Sequence, residues 1–229
     1  MRSMVVGLLV VALAQPVGGQ KTSKLDDRID GELRVDAWFL SPCKMGLAID
    51  QIARGADVLV GFQNTRDCWL NPRSPAGPNT GAVLMGVSAR EAFDKLVELM
   101  PDYRWKEIDG VVVVRPNAAW DDPRDPLNFV TGPFDVKNVH VNDVLEVMLH
   151  AVVEPLVAPH LTVVNPNRPI DNLVSVTFPG GTMLDALNAV IRARGRAEWQ
   201  VGYTGNGATV AVSTLEFGGG TVTAPFWRQ

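Results

Sequence analysis

One pattern occurs twice in this chain, and that limits its possible folds more than any other feature. Ser88 to Val114 reads SAREAFDKLVELMPDYRWKEIDGVVVV, and Thr182 to Val212 reads TMLDALNAVIRARGRAEWQVGYTGNGATVAV. Placing Ala92 on Ala186 also places Phe93 on Leu187, Leu96 on Val190 and Trp105 on Trp199, all at an offset of 94 residues. Internal repetition of this kind predicts two related units. After each Trp a glycine turn, Asp109-Gly110 or Gly205-Asn206-Gly207, leads into a Val-rich run.

Upstream the likeness is looser but keeps its order. Leu47, Ala48, Ile49 and Ile52 predict an amphipathic helix over Lys44 to Arg54, and Val144, Leu145, Met148 and Leu149 predict another over Asn142 to Val153. Strands are expected before these helices (Leu33 to Leu40; Phe134 to Val139) and after them (Val58 to Phe62; Leu161 to Val164). A further strand, Ala82 to Val87 or Leu173 to Phe178, precedes the second helix of each copy. Ser88 with Glu91, and Thr182 with Asp185, have the spacing of helix-capping pairs. Each helix has one apolar stripe and must lie on a sheet. The expected fold is therefore α/β (α+β): two small two-layer sandwiches, each strand–helix–strand, strand–helix–strand–strand. Trp105 and Trp199 are expected to seal the core beneath a helix, ligand stacking being the other use of such a residue.

The modules are expected over 33–115 and 134–213. Between them, 116–128 carries Pro116, Pro123 and Pro126 among charged residues, the composition of a semi-rigid linker. Residues 214–229 form a Gly-rich tail ending in APFWRQ. Gln63 to Gly81, with Pro72, Pro75 and Pro78, is a long loop of the length that is often functional.

The N-terminus differs from everything after it. Arg2 is the only charge in residues 1–20, Met4 to Ala14 is wholly apolar, and QPVGGQ follows. This is the pattern of a secretory signal peptide, a buried N-terminal helix being the alternative. Cleavage after Ala14, Gly19 or Gln20 fits, and no Cys follows to suggest a lipid anchor. Cys43 and Cys68 then fall in an oxidising compartment, where an even pair is expected to form one disulfide; two buried free thiols are the plainer reading.

The stretches GLAIDQIARGADVLVGFQ (Gly46 to Gln63) and VLMGVSAREAFDKLVELMPDYRWKEIDGVVVVRP (Val83 to Pro116) resemble the secretin and TonB short N-terminal domain. FPGGTMLDALNAVIRARGRAEWQV resembles it again in the second copy. The resemblance implies non-catalytic protein–protein work in the periplasm, with a secretin, a TonB-dependent receptor or a regulator as partner. No secretin pore or receptor barrel follows, so a free-standing adaptor or sensor is expected.

Catalytic patterns are missing from the sequence. It has no GxSxG, HExxH, CxxC or P-loop, and His140, His150 and His160 do not share a helical face, so neither cofactor nor metal is expected. Asp26-Asp27, Asp30 and Glu32, and Asp121-Asp122 with Asp125, read as solvated charge. The net charge of −4 without a basic run excludes a nucleic-acid footprint. Trp69, Trp120, Phe226 and Trp227, in irregular segments, are the candidate partner-binding anchors. The competing class is a small-molecule binder or enzyme using a cleft between the modules, with loop 63–81 as lid.

Overall fold

The computed structural model describes residues 23–35, 45–65, 82–153, 160–163, 173–195, 197–204 and 209–216. In the first half these form β1 (Glu32–Val35), α1 (Met45–Ala56), β2 (Leu59–Gln63), β3 (Ala82–Met85), α2 (Ala89–Leu99), β4 (Tyr103–Ile108) and β5 (Val111–Pro116). The second half supplies β6 (Val130–Thr131), β7 (Phe134–His140), α3 (Val141–His150), β8 (His160–Val163) and β9 (Leu173–Phe178). It ends with β10 (Gly181–Thr182), α4 (Met183–Arg194), β11 (Ala197–Thr204) and β12 (Thr209–Glu216). The chain is a mixed α/β protein, as expected.

Local chemistry accounts for most of the element bounds. In α1 the buried residues Met45, Ala48, Ile49, Ile52 and Ala53 recur at helical spacing. Both capping pairs close reciprocally: Ser88 Oγ accepts from the Glu91 N–H and Thr182 Oγ1 accepts from the Asp185 N–H. Each carboxylate in turn accepts from its cap residue's N–H, at 2.7 Å and 2.9 Å. Caps of this kind contribute about 1 kcal/mol each. The β4–β5 turn places Asp109 at φ 51° and Gly110 at φ 78°, the two-residue geometry that matches strand twist and that Asp-Gly tolerates. The third helix stops earlier than expected, at His150. Residues 151–153 leave it to bridge β6: the Gly132 N–H donates to Ala151 O and the Val153 N–H donates to Val130 O.

Strand pairing is equivalent in the two halves. Trp105 lies opposite Val114 in the β4–β5 hairpin, and Trp199 lies opposite Thr214 in β11–β12. β2 runs parallel to β5, and β8 runs parallel to β12. The ribbon β1·β3 sets Leu33 against Leu84, as β7·β9 sets Phe134 against Phe178.

What the repeated pattern did not carry is how the halves meet. β2 also pairs in parallel with β11, so one six-stranded sheet of order β4-β5-β2-β11-β12-β8 takes three strands from each half. Alternation along these strands assigns the faces. Val60, Phe62, Val112 and Val114 share a core with α1 and α2. Val111 and Val113 share one with α3, α4, Trp199 and Val201. The helix pairs therefore cover opposite faces, and each half seals part of its neighbour's sheet.

The segment 116–128, read from its prolines as a linker, carries two single-turn helices over Asn117–Ala119 and Pro126–Asn128. It buries Ala119, Asp125 and Leu127. The reason is a charged group at the end of β5, described next.

Candidate functional site

Arg115 closes β5 and is only 1% exposed. A buried guanidinium must find acceptors for its fixed fork of donors, and the folded 116–128 segment supplies them. Arg115 donates to Gln63 Oε1 (2.7 Å), Asp125 Oδ1 (2.9 Å), Ala119 O (2.9 Å) and Asn128 Oδ1 (3.1 Å). Gln63 Nε2 donates to Asp125 Oδ2 at 2.6 Å, and the Leu127 N–H donates to Asp125 Oδ1 at 3.0 Å. Burial pushes the Asp125 carboxyl up from its ordinary value, while Arg115 and the Gln63 and Leu127 donors pull it back part of the way.

Trp120 lies over this network. Its ring centroid is 5.1 Å from Arg115 Cζ, 5.4 Å from Arg104 Cζ and 4.5 Å from Lys106 Nζ. Three cations on one indole form a positive aromatic patch. Arg104 also donates to Asp121 Oδ2 at 2.9 Å. Two donors of the patch, Trp120 Nε1 and Arg104 Nε, are buried without an acceptor. Lys106 is exposed. Arg104 and Lys106 are on β4, an end strand of the sheet, so its outer edge is open among the described residues.

The reverse face of β4 bears Trp105. Its Nε1 donates to Asp94 Oδ1 on α2 at 2.9 Å, and its ring lies 5.8 Å from that of Phe93. Ninety-four residues later, Trp199 Nε1 donates to Asn188 Oδ1 on α4, also at 2.9 Å. The two indoles are thus held alike but buried differently: Trp199 is 0% exposed and Trp105 is half-buried. Gly61 of β2 explains the difference, because Trp199 occupies the space where a Cβ at that position would stand.

A second cluster lies where the halves join. Glu198, 2% exposed, faces α1, and its carboxyl accepts from Gln200 Nε2 at 2.9 Å. Burial, then the Asp50 carboxylate, pushes its pKa up to about 8, with Gln200 and Arg54 acting in the opposite direction. Arg54 itself pairs with Asp50 at 2.8 Å. Gly46, one turn before Asp50, lets Phe62 and Gln200 approach to within 3.4 Å of where a Cβ would be.

The sign of the resulting pH dependence follows from linkage. Folded Glu198 holds its proton up to about pH 8, whereas the unfolded group releases it near 4.5. Stability from this group therefore falls as pH rises from about 4.5 to about 8, by on the order of 3 kcal/mol at neutrality. Glu198→Gln is expected to flatten that decline and raise the urea midpoint more at pH 7.5 than at pH 5. Equal changes at both pH values would contradict the assignment.

Of the sequence-predicted anchors, the structure places Trp120 in the cationic patch. Trp69, Phe226 and Trp227, and the cysteines Cys43 and Cys68, lie outside the described residues. Most of the lid of the competing enzyme reading, 66–81, lies outside them too. At the junction between halves, Trp199 fills the space over Gly61. Among the described residues, no three His, Cys, Asp or Glu side chains are grouped to hold a metal ion. No described helix is long and apolar enough to cross a membrane. Asp125, read from sequence as solvated charge, is instead buried against Arg115, and sequence reasoning missed Arg104, Lys106, Arg115 and Glu198. The available signal was the offset of 94, which pairs Arg104 with Glu198 and Lys106 with Gln200. No family model, curated protein or solved structure matches the chain.

Proposed function

We propose that this protein is an exported, non-catalytic interaction module of the cell envelope, an adaptor or sensor akin to the short N-terminal domains of secretins and TonB-dependent receptors. A secretin, a receptor of that class or a regulator is the corresponding partner. The observation that carries the reading is the outer edge of β4, open among the described residues, beside the Trp120 patch. An unpaired strand is a template for addition of a partner strand, and an aromatic ring ringed by cations is the residue chemistry of interface hot spots. The apolar run Met4 to Ala14 supports export.

Site-specific photocrosslinking in intact envelopes tests this. A crosslinker at Lys106 is expected to capture a discrete envelope protein, and one at Lys95, on the exposed side of α2, is not. Capture from Lys95 alone, or none from either position, would overturn the proposal.

A further inference from the structure

The second half of the molecule shows what an edge like that of β4 takes. β11 and β4 are the same strand at an offset of 94, and the outer edge of β11 is occupied by β2 in parallel. Opposite Glu198, Trp199 and Gln200 stand Val60, Gly61 and Phe62. With that strand in place Trp199 is fully buried; Trp105, hydrogen-bonded to its helix in the same way, is not. The half-exposure of Trp105 goes with a β4 edge that no described strand pairs.

We infer that the outer edge of β4 accepts, in parallel, an extended segment of a partner protein with a glycine opposite Trp105 and an acidic residue on either side of that glycine. This rests on the interaction reading above. Glycine is required because the indole overlies the neighbouring backbone, as Trp199 overlies Gly61. Acidic flanks follow from alternation: the residues beside the glycine point to the other face, where Arg104 and Lys106 replace Glu198 and Gln200. There Lys106 is exposed beside Trp120 and Arg104 is partly exposed next to it, so a carboxylate on either side of the glycine meets a cation. A second copy of this chain does not present such a strand: its β2 is paired on both edges, β8 has no glycine, and in its own acidic-Gly-acidic stretch, Asp30-Gly31-Glu32, Gly31 turns at φ 93° into β1, which is paired with β3.

The probe is a synthetic extended peptide of β-branched residues with Glu-Gly-Glu at its centre, added to the mature protein. Binding is read from chemical shifts of the β4 amides and from a blue shift of Trp105 emission, with Trp105→Phe as the reference. Glu-Val-Glu and Lys-Gly-Lys peptides are expected to bind at least about tenfold more weakly, the first through steric overlap and the second through like charge. Lys106→Glu is expected to weaken Glu-Gly-Glu binding and strengthen Lys-Gly-Lys binding. Equal affinity for the glycine and valine peptides, or no response to Lys106→Glu, would overturn the inference. So would concentration-dependent self-association in sedimentation that Lys106→Pro abolishes, since the occupant would then be a second copy. Crosslinks from Lys106 in envelopes with no selective peptide binding would refute the motif and leave the interaction reading standing. The loss of both would refute both.

Discussion

Gly61→Ala is expected to lower the unfolding free energy by more than about 3 kcal/mol, a large effect for one methyl group on a strand. Overpacking a core costs about 1–3 kcal/mol where neighbours can yield, and here they cannot. The Trp199 indole lies where the new Cβ must go, held by its bond to Asn188 Oδ1 and enclosed by the core of the second half. The collision also falls on the β2·β11 pairing, the parallel ladder that joins the two halves of the sheet. Urea denaturation read by near-ultraviolet circular dichroism measures the loss. Trp199→Ala alone is expected to cost about 3–5 kcal/mol from its cavity, whereas Gly61→Ala added to Trp199→Ala should then cost little. A coupling beyond about 1 kcal/mol in this double-mutant cycle identifies the indole as the cause. A neutral Gly61→Ala would mean that the joint is made in another way.

Much of the fold was legible because its signals are local. Ser88 and Glu91, Thr182 and Asp185, and Asp109-Gly110 each fix a helix start or a turn with residues at most three apart. The helices were found from periodicity, because each lays one stripe on a sheet. The shared sheet was not found, since the β2·β11 pairing joins residues more than a hundred positions apart and leaves no periodic trace. One clue was present: Gly61 interrupts VLVGFQ, and a glycine inside a strand marks a close approach by something large. With Trp199 known as the second of two equivalent tryptophans, that pairing could have been guessed. That the 116–128 segment is folded and partly buried was illegible for a similar reason. Its proline content is a property of the segment, but its burial depends on Gln63 and Arg115, which lie outside it.

The Trp120 site was half legible. Trp120 was singled out as an aromatic in an irregular stretch, while the cations that give it character come from the neighbouring strands. Arg104 and Arg115 lie directly opposite one another in β4–β5, a like-charge pairing that normally costs stability. It is sustained by Asp121 on the exposed side and Asp125 on the buried side. By hairpin register the second half has Glu198 and Leu215 at these positions, so the patch belongs to the first half alone.

Arg115→Met is accordingly expected to destabilise the protein by about 3–5 kcal/mol, because it leaves the Asp125 carboxylate buried without its cation. Asp125→Leu should cost a similar amount by orphaning the guanidinium. Combined, the two changes remove both charges, and the pair is expected to cost less than the sum of the single variants, the remaining loss falling on the buried Gln63 amide, which gives up its bonds to Arg115 and Asp125. The pH dependence separates the singles. In Arg115→Met the Asp125 carboxyl loses its strongest stabilising partner, so its pKa rises further above the ordinary value than in the parent. Protonation then relieves the penalty, and Arg115→Met should approach the parent as pH falls, whereas Asp125→Leu should not. Urea midpoints followed from neutral into acid pH measure this, and parallel pH profiles for the two single variants would contradict it. The double variant has a further use. Without Arg115 and Asp125, the 116–128 segment loses its charged ties to β5 and β2 but keeps the bonds from Asn128 Nδ2 to Trp120 O and from Arg104 to Asp121. Capture through Lys106 should weaken even where the double variant stays folded, which separates the network's contribution to the fold from its role in presenting the edge.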